Sequence, residues 1–188
     1  MSSNEELDEG EILERYIILL LGIIDKPIPS LIHLQKEIFI LSQANPTIQK
    51  FINFEKHYYG PYSQDINEII QDPLYYKDAF NRDQSGRIAI TPRGKEIYNQ
   101  LIDRYKSNKR FLEFLAMIKM TRELYDKLTS EEFLLLIYIT YEKYIEKSKV
   151  SKEILSKNKR IKLARNLLKK GIITENRFNE MVNYSTNS

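Results

Sequence analysis

Apolar residues recur at helical spacing from Glu11 to Ile24, where Ile12, Leu13, Tyr16, Ile17, Leu20, Ile23 and Ile24 form one stripe. Leu19 and Leu21 widen it almost all round, which predicts a helix sandwiched between other elements. Asp25-Lys26-Pro27-Ile28-Pro29 stops that helix, since neither proline fits a helix interior. Ser30 stands where a cap belongs for the next one, with Leu31, Leu34, Ile38 and Leu41 on one face and Asn45-Pro46 at its end. In Thr47–Tyr59 the alternation permits a strand, and Ile48, Phe51 and Ile52 permit a short helix. The combined expectation is a helical turn followed by an extended segment.

Tyr59-Gly60-Pro61-Tyr62-Ser63 reads as a turn. Gly60 gives a permissive backbone, Pro61 fixes φ and cannot continue a strand, and the Ser63 hydroxyl is placed to cap a helix. That helix, residues 63–72, puts Ile66, Ile69 and Ile70 inward and Gln64, Asn67, Glu68 and Gln71 outward. Asp72-Pro73 ends it. Tyr75–Asn81 and Arg87–Thr91 then flank Asp83-Gln84-Ser85-Gly86, the pattern of a hairpin spanning 75–91. Thr91-Pro92 opens a further helix through Ile97, Tyr98, Leu101, Ile102 and Tyr105. Ser107-Asn108 breaks the pattern.

Beyond it every segment reads as helical. Phe111, Leu112, Leu115, Ile118 and Met120 form an amphipathic stretch, and Thr129 with Glu132 makes a capping box before the apolar Phe133–Tyr144. A basic helix follows with Ile161, Leu163, Ala164, Leu167 and Leu168 inward. Gly171 suits a C′ position, and Thr174 caps a last helix with Phe178, Met181 and Val182. The fold class expected is mainly α with a small β-hairpin, a winged helix-turn-helix followed by a helical C-terminal extension. Residues 1–10 are expected as a flexible acidic leader, 11–107 as the winged-helix domain and 108–188 as a helical domain.

Three pieces of this pattern, Leu34-Gln35-Lys36-Glu37-Ile38-Phe39-Ile40-Leu41, Tyr59-Gly60-Pro61-Tyr62-Ser63 and Ile90-Thr91-Pro92-Arg93-Gly94, together resemble the YwgA-like group of small prokaryotic proteins. The chain resembles the Panacea (SocA-like) antitoxin domain more distantly. The likeness covers about residues 12–100. It implies a winged-helix fold and a regulatory or antitoxin-like role, and it carries over no catalytic residue.

Composition narrows the chemistry. There is no cysteine and there are only two histidines, His33 and His57, so thiolate chemistry and a multi-histidine metal site are excluded. No paired-carboxylate spacing or Gly-rich phosphate loop occurs, so no catalytic residue, metal or cofactor is expected and an enzyme is the weakest reading. The apolar runs Tyr16–Ile24 and Phe133–Tyr141 fall short of the roughly 20 residues that span a bilayer. The first residues are acidic, with no basic n-region, which points to a cytoplasmic protein without membrane contact.

The formal net charge of +3 hides an asymmetry. Residues 1–14 hold six acids and no Lys or Arg, whereas 147–170 hold ten Lys or Arg and one acid. Such a split can mark a polyanion-binding face, though a solvated helix surface explains any one run. The expected function is a DNA-binding transcriptional regulator, most naturally a homodimer. Helix 63–72 would be its recognition helix, and hairpin 75–91 its wing. Gln64, Asn67 and Gln71 would contact the bases, and Ser63, at the start of the helix, counts with them among the nucleic-acid-binding residues. Arg82, Arg87, Arg93, Lys95, Lys159 and Arg160 would offset a recognition helix that carries Asp65, Glu68 and Asp72 and no cation. The alternative is a protein-binding, antitoxin-like or adaptor module. Tyr58, Tyr59, Tyr62, Tyr75 and Tyr76 are expected in the core with hydrogen-bonded hydroxyls.

Overall fold

A computed structural model describes residues 8–184. In chain order its helices and strands are α1 (Glu9–Gly22), α2 (Leu31–Ala44), α3 (Pro46–Gln49), β1 (Glu55–His57), β2 (Gly60–Tyr62), α4 (Gln64–Gln71), β3 (Phe80–Arg82) and β4 (Ile88–Ile90). They continue as α5 (Pro92–Tyr105), α6 (Lys109–Tyr125), α7 (Ser130–Thr140), a 3-10 turn (Glu142–Tyr144), α8 (Ser151–Ile154), α9 (Lys157–Lys169) and α10 (Glu175–Val182). The fold is therefore mainly helical, with two small antiparallel hairpins, β1–β2 and β3–β4.

The chain divides into two compact units, Met1–Asn53 with Ser63–Glu123, and Phe54–Tyr62 with Leu124–Ser188. This differs from a boundary at Ser107-Asn108, for two physical reasons. Helix α6 begins after that break, yet it anchors in the first unit through Arg122. Hairpin β1–β2 packs on α7 and on the 3-10 turn, and the Tyr58 carbonyl accepts from the Lys149 N–H at 3.1 Å.

In the first unit α1 contacts α4, α5 and β4, and its residues Leu13, Ile17, Ile18, Leu20 and Leu21 are buried. The segment after α1 is extended at Ile28, which exchanges two backbone hydrogen bonds with Ile88 of β4 at 2.8 and 2.9 Å. Ser30 caps α2 by accepting from the His33 N–H, and Thr91 caps α5 by accepting from the Gly94 N–H. Gly94 is required for space. A Cβ there would lie 1.9 Å from the Ala79 carbonyl oxygen, which accounts physically for the glycine of the Thr91-Pro92-Arg93-Gly94 motif.

Helix α2 is unusual. His33, Gln35, Lys36 and Glu37 are all buried, between Leu34 and Ile38 of the apolar face. The Gln35 amide donates to the Ser63 carbonyl and accepts from the Ser63 N–H, both at 2.8 Å. Arg122 of α6 serves backbone groups in a similar way. It is fully buried and donates to the carbonyls of Leu20 and Lys26 at 2.5 and 2.6 Å, with Glu37 at 3.7 Å as its counter-charge. Burial pushes the Lys36 ammonium down to about 7.

In the second unit α7, α8, α9 and α10 pack around Phe133, Leu134, Ile137, Tyr138, Leu163, Leu167 and Met181. The Thr129/Glu132 capping box is formed in both directions. Buried Glu132 also receives Lys170 at 2.6 Å. Gly171 takes φ 68 after α9, and Thr174 caps α10 by accepting from the Arg177 N–H.

Several expectations are corrected. Ser63 precedes α4, but its side chain makes no capping bond; the hydroxyl is buried, since the Gln35 clasp draws the residue inward. Pro61 lies inside β2, opposite Lys56. A two-stranded hairpin has no further ladder for Pro61 to donate to, and Gly60 at φ 82 makes the turn before it. Strand β3 is confined to Phe80–Arg82, because residues 74–76 turn back onto α1 instead of extending. Helix α7 stops at Thr140 rather than running to Tyr144. Of the expected acidic leader, residues 1–7 lie outside the described residues, while Asp8 caps α1 and Glu9 and Gly10 are its first residues. Tyr58, Tyr59 and Tyr75 are exposed, the first two at the tip of β1–β2, and Tyr62 and Tyr76 are half-buried.

Two substitutions test this packing. Ser63→Ala leaves stability unchanged or raises it in chemical denaturation, where loss of a true serine cap costs about 1 kcal/mol. Gln35→Ala lowers stability by about 2–4 kcal/mol, because two buried backbone groups lose their partner. Lys36 sets a pH dependence of the opposite sign from that of a salt-bridged lysine. Its pKa is depressed on folding, so the unfolded chain holds the extra proton, and stability rises from about pH 7 towards the ordinary lysine value. Lys36→Met flattens that rise.

Candidate nucleic-acid interface

Helix α4 is positioned from two sides. The Gln35 clasp fixes the backbone where α4 begins, and Ile66 and Ile69 bury its inner face. At 3.6 residues per turn, Gln64, Asn67 and Gln71 fall in one arc of about 60°, and Asp65 and Asp72 lie about a quarter turn away with Glu68 between. Gln64 and Gln71 are exposed and Asn67 is half-buried, and the Gln64 amide donates to Glu68 at 2.8 Å.

Asn67 and Gln71 line a cleft of about 550 Å³ together with Arg82 of β3. Lys77, Asn81, Asp72 and Asp78 share it. Asp78 adopts φ 61, a left-handed conformation that aspartate tolerates, and its carbonyl accepts from the Thr91 hydroxyl. Lys77 and Asn81 were not among the residues singled out from sequence. Their signal is faint, two polar residues on either side of the start of β3.

The remaining cations have partners. Arg87 meets Asp83 at 2.9 Å, Arg93 meets Glu96 at 2.9 Å and Lys95 meets Asp25 at 2.9 Å. Lys159 meets Glu131 at 2.7 Å, and Arg160 donates to the carbonyls of Leu155 and Val182. Ser63 is buried, so of the expected contact set it alone lies wholly beneath the surface. Arg82 carries no carboxylate partner among the described residues. Exposed pairs such as Arg87–Asp83 and Arg93–Glu96 are worth at most about 1 kcal/mol, so either arginine can exchange its carboxylate for a phosphate at little cost.

The β3–β4 loop is organised by Asp83. One oxygen accepts from the Ser85 N–H, the Ser85 hydroxyl and the Arg87 N–H, and the other from the Arg87 guanidinium. Ser85 chiefly, with Arg87, holds the Asp83 carboxyl down to about 2. The segment leading into the hairpin is anchored by Glu14, which is buried and accepts from the N–H groups of Leu74, Tyr75 and Tyr76. Arg15, Tyr76 and Glu11 extend that network. The acids of residues 11–14 are thus structural, a role their sequence position beside an acidic leader conceals.

No family model matches the chain, and no curated protein matches it. Among the described residues no group of His, Cys, Asp and Glu is placed to hold a metal ion, and no helix is long and apolar enough to cross a membrane.

The Asp83 geometry predicts how the β3–β4 loop responds to acid. A depressed carboxylate contributes its order above the ordinary carboxylate pKa and loses it as pH falls through the folded value, here about 2. The Ser85 and Arg87 amide resonances therefore shift with a midpoint near 2 in an NMR titration. In Asp83→Asn that transition is absent.

Proposed function

We propose that the first unit is a winged helix-turn-helix that reads duplex DNA as a transcriptional regulator, with α4 in the major groove and hairpin β3–β4 as the wing. One observation carries this reading: the amides of Asn67 and Gln71 and the unpaired guanidinium of Arg82 line the same exposed cleft. Asn and Gln side chains suit bidentate contacts with adenine, and an arginine beside them suits the flanking phosphate or a guanine. The element order supports the assignment. Helix α1, the Ile28–Ile88 bridge, helices α2 and α4 and the hairpin follow the sequence of parts a winged helix uses. The three motifs that resemble those of the YwgA-like group are in keeping with this reading.

The acidity of α4 does not oppose this reading as strongly as its composition suggests, because Asp65 lies outside the amide cleft and Asp72 shares that cleft with Lys77 and Arg82. Lys77, Arg82, Arg87, Arg93 and Lys95 supply the phosphate contacts. Two copies would double a short half-site, so the regulator acts as a homodimer, with α5 and α6 as the surface that pairs. A second reading, a protein-binding module of the antitoxin kind, is favoured by the carboxylate partners that Arg87, Arg93 and Lys95 already hold.

Gel-shift titration against genomic fragments at two salt concentrations separates the two. On the DNA reading, log affinity falls with log salt, and Arg82→Ala with Arg87→Ala weakens all sequences alike, flattening the salt slope by about 2. Gln64→Ala, Asn67→Ala or Gln71→Ala instead relaxes base preference, by about 1–3 kcal/mol per lost bidentate contact. A stoichiometric protein partner in pull-down with no shifted fragment at either salt replaces this function with the second.

A further inference from the structure

The acidic stripe of α4, about a quarter turn from the amides, borders a second groove. Asp65, Glu68, Ile69 and Asp72 line this groove of about 460 Å³ with Asp8, Glu9, Gly10 and Leu13 at the start of α1, Phe51 and Leu74. No lysine or arginine lines it. Its five carboxylates have no ion pair among the described residues, whereas Asp25, Asp83 and Glu96 elsewhere on this unit's surface do. Asp8 and Glu9 gain from the N-terminal end of α1. Glu68 and Asp72 sit in the last turn and at the C-cap of α4, where the helix dipole disfavours negative charge and no basic residue relieves it. Between the carboxylates the surface is apolar: Phe51 is half-buried, and Leu74, 72% exposed, is the most exposed large hydrophobic side chain of the described residues.

We propose that this groove docks a cationic amphipathic segment of a partner protein, its Lys or Arg side chains meeting the carboxylates and an apolar side chain covering Leu74 and Phe51. Charge complementarity selects the occupant. A nucleic acid is repelled by five carboxylates, and a neutral apolar segment would leave them without a counter-charge. The groove uses an apolar floor for affinity and a charged rim for orientation, as helix-in-groove recognition does. This inference goes beyond the DNA reading and does not rest on it, because the amide stripe and Arg82 lie outside the groove.

The test uses the full chain and a labelled synthetic peptide of residues 157–170, Lys-Asn-Lys-Arg-Ile-Lys-Leu-Ala-Arg-Asn-Leu-Leu-Lys-Lys, as a cationic amphipathic probe. Saturable binding in the micromolar range by fluorescence anisotropy is expected. Asp65→Asn, Glu68→Gln and Asp72→Asn combined should weaken it at least tenfold, and so should Leu74→Ser, with thermal melting unchanged because all four side chains are exposed. A control peptide with its isoleucine and leucines replaced by serine should bind at least tenfold more weakly. Absence of saturable binding overturns the proposal, as does equal binding by the neutralised protein or by the serine peptide. Salt-sensitive self-association of the full chain, lost in the neutralised variant, would overturn a foreign partner and give the groove to a second copy. Asn67→Ala and Arg82→Ala, which lie outside the groove, leave peptide binding unchanged, so failure here and failure of the DNA reading are told apart.

Discussion

Gln35 meets Ser63 through a pair of 2.8 Å hydrogen bonds, one given and one received, across 28 residues of chain. The intervening segment leaves the first unit after Asn53, forms β1–β2 within the second, and returns at Ser63. Where α4 begins therefore depends on this clasp more than on any local signal. A side-chain amide gripping both polar groups of one buried residue fixes position and orientation together, and losing it strands two backbone groups away from water. Everything that α4 presents outward, the amides on one stripe and the carboxylates on the other, inherits its direction from that contact.

Buried polarity recurs throughout the first unit in the same service. Arg122 satisfies the carbonyls of Leu20 and Lys26 at the end of α1, and Glu37 balances its charge. Glu14 collects three successive N–H groups ahead of β3. Each replaces water for backbone groups that no regular element could pair, so the turns between α1, α2 and β3 are held by side chains from neighbouring helices. Such networks cost desolvation and return definition, because few alternative packings satisfy every member.

The two exposed stripes of α4 give one short helix two kinds of surface. Amides beside an unpaired arginine suit a polar, hydrogen-bonding ligand with negative charge at its margins. Carboxylates around Leu74 and Phe51 suit a positively charged, partly apolar one. Of the three acids on α4 and its C-cap, Asp65 and Glu68 border only the second groove, whereas Asp72 lines both.

Much of this fold was legible in the residues alone. Helical periodicity gave α1, α2 and α5, and the caps at Ser30, Thr91, Thr129 and Thr174 formed as their chemistry required, because capping is a local interaction complete within one turn. The polar loop from Asp83 to Gly86 likewise announced the β3–β4 hairpin. Local rules failed where distant residues competed. Ser63 has every mark of a cap, yet Gln35 takes its backbone and buries its hydroxyl. Glu14 reads only as one of the six acids in residues 1–14, yet it organises residues 74–76. The boundary between units follows the packing of β1–β2 and the anchoring of α6 by Arg122, not the break at Ser107-Asn108. Sequence by itself determined which segments are helical, which ends are capped and which side chains are available at the surface of α4. Only the tertiary structure decided which of those side chains share a cleft and where the buried polar groups Gln35, Glu14 and Arg122 find their partners, since those pairings join residues tens of positions apart and leave no periodic trace.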